Sequence, residues 1–202
     1  LADAETLKAA LDLFGGLGVK NLDCRQDGST IGDGPRESWL FNATISGIDA
    51  ADAILLIGTN PRLEAPVLNA RIRRAWGVRS VPVGVIGQPA DLSYGYEHLG
   101  VSGADVVKLG KSKKGFFETF KAAAKPMVIV GASVDATVLA AAAKVAAAAG
   151  ASLNVLHSAA SRVGGLDLGF VPKDGGLATT AMLYKNALDV LVLLGADEVE
   201  LS

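Results

Sequence analysis

The chain has 202 residues, half of them hydrophobic, and a formal charge of −2 with an isoelectric point near 5.7. That is enough for one domain or one and a half, with a sizeable core that needs no disulfides. The weak acidic balance and the 5% aromatic content exclude electrostatic capture of nucleic acid or of an anionic membrane, and a stacking platform for single-stranded bases.

The first element expected in the chain is an amphipathic helix over residues 3–14. Ala4, Leu7, Leu11 and Phe14 share one face, and acids sit early, where the helix dipole favours them. Gly15, Gly16 and Gly18 stop it. Residues 21–37 are polar and glycine-rich and read as a loop. A short helical piece near 44–50 precedes the strand 53–57, Ala-Ile-Leu-Leu-Ile, which ends in Gly58-Thr59-Asn60-Pro61. A helix then runs to about Trp76, with Pro66 tolerated only in its first turn. Leu68, Ile72 and Trp76 form its expected buried stripe.

Val81–Ile86 is the next predicted strand, broken by Gly87-Gln88-Pro89. Asp91–His98 reads as a turn or short helix carrying Tyr94 and Tyr96. Val106–Leu109 reads as an edge strand, and Lys113–Ala124 as a helix with Phe116, Phe117 and Phe120 inward. Met127–Val130 is a strand. The alanine-rich helix 134–149 ends at Gly150, a good C-cap. Asn154–Leu156 is a short strand, 158–163 a helical turn, and 164–178 a glycine-rich irregular stretch. Asp189–Leu194 is the last predicted strand. Strands alternating with helices imply α/β architecture: a doubly wound, mostly parallel sheet flanked by helices. The α/β domain is expected over 1–172. Residues 173–202 are expected to hold a loop, a helix and a final strand that would open a next α/β unit.

Open α/β sheets hold ligands beyond the carboxyl ends of their strands. Gly58, Thr59, Asn60 and Pro61 sit at such an end. Glycine permits close approach of a ligand to the backbone, and Thr59 and Asn60 suit either a nucleotide or the cap of the next helix. An ordinary strand–turn–helix joint explains the same residues equally well. Gly131-Ala-Ser133 and Gly195-Ala-Asp197 share this ordinary reading. No G-x-G-x-x-G fingerprint and no Walker loop follows any strand.

Cys24 is the single cysteine. It excludes an internal disulfide, and it excludes an iron–sulfur cluster within this chain, which needs about four thiolates. A reducing compartment is the simplest setting. His98 and His157 stand too far apart in sequence to suggest a metal pair. Ser133 and Ser158 lack a nucleophile elbow. Arg71, Arg73 and Arg74 read as a solvated helix face or a subunit contact. No apolar run approaches the roughly 18–20 residues that span a bilayer. The chain opens without methionine and stops soon after a predicted strand, so a piece of a longer polypeptide is expected.

Several segments together carry a resemblance: Gly58–Arg73, Gly87–Gly100, Ala124–Gly131, and Asn154–His157 with Leu166–Gly169. Nearly the whole chain resembles the large peripheral-arm iron–sulfur subunit of respiratory complex I, within its C-terminal part, which is itself similar to molybdopterin-dependent oxidoreductases. The resemblance implies a subunit of an NADH:quinone oxidoreductase that passes electrons from NADH through FMN and iron–sulfur clusters to quinone, coupled to proton translocation. It implies 2Fe-2S and 4Fe-4S clusters upstream of this segment. It implies no cofactor, no metal and no catalytic residue within the segment. Gly58, Thr59, Asn60 and Pro61 would be a vestigial pterin loop. Expected partners are other peripheral-arm subunits, on the cytoplasmic or matrix face of an energy-transducing inner membrane. The competing reading is a module that retains a pterin or nucleotide pocket near Gly58–Pro61, Gly131–Ser133 and Tyr94. A third reading, an active molybdopterin enzyme with Cys24 on the metal, has no partner residues in the sequence around Asn21–Arg25.

Overall fold

The structure is a computed structural model that describes residues 2–32, 34–184 and 187–196. Its elements in chain order are α1 (Ala4–Gly16), α2 (Thr44–Gly47), β1 (Ala53–Ile57), α3 (Pro61–Glu64), α4 (Pro66–Arg79), β2 (Val83–Ile86), β3 (Glu97–Gly100), α5 (Gly103–Lys111), α6 (Phe116–Ala122), β4 (Pro126–Gly131), α7 (Ala136–Ala149), β5 (Ser152–Leu156), α8 (Arg162–Leu168) and α9 (Thr179–Met182). Short 3-10 turns lie at Arg36–Ser38 and Ile48–Ala50. The chain divides into two compact units, one of Leu1–Gly32 with Ala159–Ser202 and one of Asp33–Ser158.

The second unit is the α/β body. Its five strands are all parallel, in the order β3-β2-β1-β4-β5. Strand β1 is central, and every residue of it is at most 1% exposed. Such a strand is covered on both faces, which is why it reads as an unbroken apolar run and not as an alternation. Ile54, Leu56, Val83, Val85, Met127 and Ile129 join Leu68, Ile72 and Ala75 of α4 in one core cluster. Trp76, expected in the buried stripe, is 40% exposed and its indole lies against Gly95.

Alanine dominates α7 because α5 and β4 come close. Gly103 and Gly110 of α5 face Val138 and Val145, with no room at Gly103 for a Cβ. Asp135 caps α7 by accepting from the Val138 amide at 2.8 Å, and left-handed Gly150 closes it. The three phenylalanines of α6 point inward as expected, at 5%, 2% and 0% exposure.

The edge next to β4 is not left open. Phe41 forms an antiparallel bridge with Asn154, and the Val155 amide donates to the Leu40 carbonyl at 2.9 Å. Asn154 is fully buried. Its Oδ1 accepts from the Ala43 amide at 2.7 Å, and its Nδ2 donates to the Val128 and Ser152 carbonyls. Asn42 Nδ2 donates to the Leu153 carbonyl at 2.7 Å. Covered edges are one way sheets avoid pairing with other chains.

The structure corrects three expectations in this unit and the next. Residues 106–109 are helical, not an edge strand. They lie in α5, opened by a capping box in which Asp105 accepts from Ser102 and Val101 amides and from the Ser102 hydroxyl. The Lys108 ammonium and the Ser102 donors hold the Asp105 carboxyl well below the usual carboxylate range. The edge strand is instead β3, within the stretch expected as a turn, where His98 Nε2–H donates to the Gly87 carbonyl at 2.9 Å. Residues 164–168, expected as irregular, belong to α8.

The first unit holds α1, α8 and α9. Asp23 organises it. Its carboxylate, 1% exposed, pairs with the Arg25 guanidinium at 2.8 Å and also accepts from the Arg25 and Thr179 amides. Gly165 of α8 meets Cys24, where a Cβ would come within 2.8 Å of the cysteine Cβ. The strand expected at 189–194 is not formed: the described residues of this unit contain no strand.

Two substitutions test these anchors. Asn154→Ala strips the Ala43 amide and is expected to cost about 1–3 kcal/mol in denaturant-unfolding measurements, the penalty of an unsatisfied buried group. Asp23→Ala removes a carboxylate acceptor from the buried Arg25 guanidinium and from the Thr179 amide. It is expected to cost about 1.5–3 kcal/mol, with exchange of the Thr179 amide accelerating in parallel.

Candidate functional site

The direction of strand succession reverses at the β1–β4 seam. From β1 the chain proceeds outward to β2 and β3; from β4 it proceeds the other way to β5. This is the topological switch point at which doubly wound sheets build their ligand crevice. Gly58 ends β1 there, and Gly131 ends β4 beside it.

Both glycines are required where they stand. A Cβ on Gly131 would stand 2.2 Å from the Gly58 carbonyl oxygen, so no side chain is accommodated. Gly58 has φ +57°, and a Cβ there would lie 2.4 Å from Val134 Cγ1. The Ser133 hydroxyl donates to the Gly58 carbonyl at 3.4 Å. The turn after β4 therefore lies against the end of β1 at the switch point.

The polar groups of the β1 turn are turned inward as well. The Gly58 amide donates to the Ile86 carbonyl at 2.8 Å. Thr59 Oγ1 donates to Glu64 Oε2 at 2.7 Å, and the Asn60 amide donates to Glu64 Oε1 at 2.8 Å. Pro61 takes the first helical position and has no amide to give. Glu64 thus reaches back across α3 and places its carboxylate on the donors at the start of that helix. Asn60 Oδ1 is buried and has no hydrogen-bond partner among the described residues. Arg62 forms an ion pair with Asp91, which anchors the turn to the segment after β2.

The other sequence candidates are dispersed. Tyr94 is 8% exposed, and its hydroxyl donates to Asn69 Oδ1 at 2.9 Å. It is a core residue of the α4 face, and burial pushes its phenol above the ordinary range. Asn69 Nδ2 donates in turn to the Leu92 carbonyl. This buried Asn69–Tyr94 pair was not singled out from the sequence. Tyr96 closes the loop after β2 through both polar groups of Ala90. His157 Nε2 hydrogen-bonds the Trp39 carbonyl at 2.7 Å. Arg71 forms an ion pair with Asp49, and Arg73 and Arg74 are exposed. Among the described residues no three of His, Cys, Asp and Glu are grouped to hold a metal.

Cys24 lies in the first unit, between Asp23 and Arg25. Burial, and then the Asp23 charge, push its thiol up to about 11. The thiolate is the metal ligand and the nucleophile, and at neutral pH this group is a thiol. Iodoacetamide is expected to label Cys24 of the native chain far more slowly than free glutathione at pH 8. The rate should climb as pH rises toward 11, when read by mass spectrometry. Labelling at the glutathione rate would show that the thiol is neither buried nor raised.

Known proteins resemble the chain over its full extent. It is 36% identical over 214 residues to the mitochondrial NADH dehydrogenase (ubiquinone) iron-sulfur protein 1 of Solanum tuberosum, covering 100% of this chain and 28% of that protein. It is 38% identical over 216 residues to the mitochondrial NADH-ubiquinone oxidoreductase 78 kDa subunit of Neurospora crassa, and 36% identical over 214 residues to that of Candida albicans. Both alignments cover 98% of this chain, which spans 28% of each relative's length. A family model described as molybdopterin oxidoreductase matches residues 1–202. The parallel sheet, its switch point and the full-length match agree: the chain belongs to the molybdopterin oxidoreductase family.

Proposed function

We propose that this chain is a cofactor-free structural segment of the large iron–sulfur subunit of respiratory complex I. In that role it scaffolds the subunit, while electrons pass from NADH through FMN and iron–sulfur clusters in upstream parts of the polypeptide and its neighbours toward quinone. Its partners are other peripheral-arm subunits. Its place is the matrix or cytoplasmic face of the inner membrane, attached through those subunits. The names of the three relatives support the subunit assignment. No helix among the described residues is long and apolar enough to cross a membrane.

One observation carries the cofactor-free part: the carboxylate of Glu64 on the donors of Thr59 and Asn60. A pterin dinucleotide brings a pyrophosphate, which needs free backbone N–H groups at a helix start. Here the Gly58 amide is committed to Ile86, Pro61 has no amide, and Glu64 presents a negative charge where the phosphate would come. The residues of the turn do not fit that group. Gly58, Thr59, Asn60 and Pro61 are then a vestigial pterin loop whose anion position is filled from within the chain. A retained pterin or nucleotide pocket is the second reading. The observation that favours it is the buried, unpartnered Asn60 Oδ1, an acceptor that a ligand amine would satisfy.

Thermal shifts separate the two. A ligand at 100 times its dissociation constant stabilises a protein by about 2.7 kcal/mol. Millimolar guanine nucleotide or NADH is expected to leave the melting temperature unchanged. Glu64→Ala is expected to lower stability by about 1 kcal/mol, as loss of a helix cap does, and to gain no nucleotide response. A nucleotide-dependent rise in wild-type melting temperature, removed by Asn60→Ala, would establish the second reading. Molybdenum or pterin in the purified chain would do the same.

A further inference from the structure

The chain contains three Asp-Gly pairs, at 27–28, 33–34 and 174–175. Asp33 lies outside the described residues. The other two pairs belong to the first unit and are held in opposite ways.

An aspartyl–glycyl bond has a reaction of its own. The glycine amide nitrogen bonds to the aspartate Cγ, a carboxyl C–O bond breaks, and water leaves with the amide proton. The five-membered imide then takes up water at either carbonyl. Opening at Cγ restores aspartate. Opening at the former backbone carbonyl leaves isoaspartate, whose main chain runs through the side-chain carbons. Nothing is oxidised or reduced, and water is the only co-reactant. Glycine favours the step because no Cβ shields its nitrogen. The step needs a carboxyl group and an amide that are both free to approach.

Asp27–Gly28 lacks that freedom. Asp27 Oδ1 accepts from Arg162 Nη2 at 2.9 Å and from the Ser29 amide at 3.1 Å. The Gly28 amide donates to the Arg25 carbonyl at 2.9 Å, and a Cβ on Gly28 would lie 2.8 Å from Thr180 Cγ2. Asp174–Gly175 has the freedom. The two residues form the centre of a turn closed by the Gly176 amide on the Lys173 carbonyl at 2.9 Å. Their φ values are +51° and +82°, the signs of a type I′ turn, whose closing bond leaves the central amide unused. Both residues are exposed, and neither the Asp174 carboxylate nor the Gly175 amide has a hydrogen-bond partner among the described residues. A Cβ built on Gly175 would meet nothing within 4 Å.

We propose that Asp174 is a site of spontaneous isoaspartate formation in the folded protein, and that the fold shields Asp27 from the same reaction. The modification has a structural consequence, because the turn is tied to residues 20–23. The Lys20 ammonium donates to the Asp174 carbonyl at 3.5 Å, and a Cβ on Gly176 would stand 2.2 Å from the Lys20 carbonyl oxygen. The Leu177 amide donates to Asn21 Oδ1 at 2.8 Å, and the Thr179 amide to Asp23 Oδ2 at 3.0 Å. One extra main-chain carbon between 174 and 175 does not keep all of these contacts, so the modification loosens 176–179 from 20–23. This inference uses the first unit alone and is independent of whether the Gly58–Pro61 turn holds a cofactor.

Ageing at neutral pH, followed by peptide mapping, tests it. Isoaspartate leaves the mass unchanged and blocks a protease that cuts before aspartate, which locates it. In the native chain it is expected to form at 174 about tenfold faster than at 27, where a charge-assisted hydrogen bond must first open. In the chain unfolded in urea the two rates are expected to agree within about twofold, since the native contacts are gone. Equal native rates, or a native preference that persists unchanged in urea, overturn the proposal. The full-length subunit within its complex is expected to carry isoaspartate at the same residue, and its absence there overturns the proposal as well. Asp174→Glu, whose side chain would need a six-membered imide, is expected to stay folded and unmodified. Amide exchange at Leu177 and Thr179 is expected to quicken on ageing in the wild type and not in this variant; unchanged exchange in wild-type chain that carries isoaspartate overturns the loosening.

Discussion

The architecture of the second unit turns on a contact between two pieces of backbone. Gly58 and Gly131 end adjacent parallel strands, and the carbonyl of one stands where the other would carry a side chain. Because Gly131 has no Cβ, the end of β4 closes against the Gly58 carbonyl, and because Gly58 has none, Val134 packs beside it. The turn after β4 then lies over β1 and places Val134 and Ser133 at the switch point. Helix α7 starts from that turn and sets Val138 and Val145 against the glycines of α5. On the other side, Gly58 hands the chain to Pro61 and α3, whose Glu64 folds back onto the turn. In many doubly wound proteins the glycine after a strand is read as room for a ligand. Here Val134 and Ser133 stand beside that glycine.

Most of the second unit was legible in the sequence, for a single reason. Strands β1, β2 and β4 are buried on both faces, and such strands must be continuous apolar runs. The elements that escaped lie at the margins. Strand β3 is Glu97-His98-Leu99-Gly100, an exposed edge with one ladder, and its composition is that of a turn. Helix α5 contains Val106-Val107-Lys108-Leu109, too short for its period to be read. Its true signal was Ser102 with Asp105 three residues on, which is the spacing of a capping box. In the first unit, helix α8 hid behind Gly164 and Gly165, residues that normally argue against a helix. Gly165 is there because Cys24 leaves no space for a methyl group.

The candidate site was legible in place and not in state. A strand ending in Gly-Thr-Asn-Pro locates the switch point, and the structure puts Gly58 there. What fills the crevice depends on Val134, remote in sequence, and on the direction in which Glu64 leaves α3. Neither has a local signature strong enough to decide between capping and ligand binding. The segment 39–43, which covers the β5 edge through Asn42 and Asn154, was invisible for a similar reason. It contributes one bridge and a few side-chain bonds, and its partner lies more than a hundred residues away.

The division of the chain has a consequence for synthesis on the ribosome. The second unit is one uninterrupted segment, whereas the first is assembled from both ends of the chain. Domains tend to fold as units in the order they emerge. Residues 2–32 are made before the α/β body but need Phe170 to accept from the Cys24 amide and Thr179 to satisfy Asp23. They must wait through the translation of the entire α/β body. During that interval the helix of Leu7 and the buried-to-be Asp23–Arg25 pair are exposed to solvent, and the continuous unit can fold ahead of the one that begins the chain.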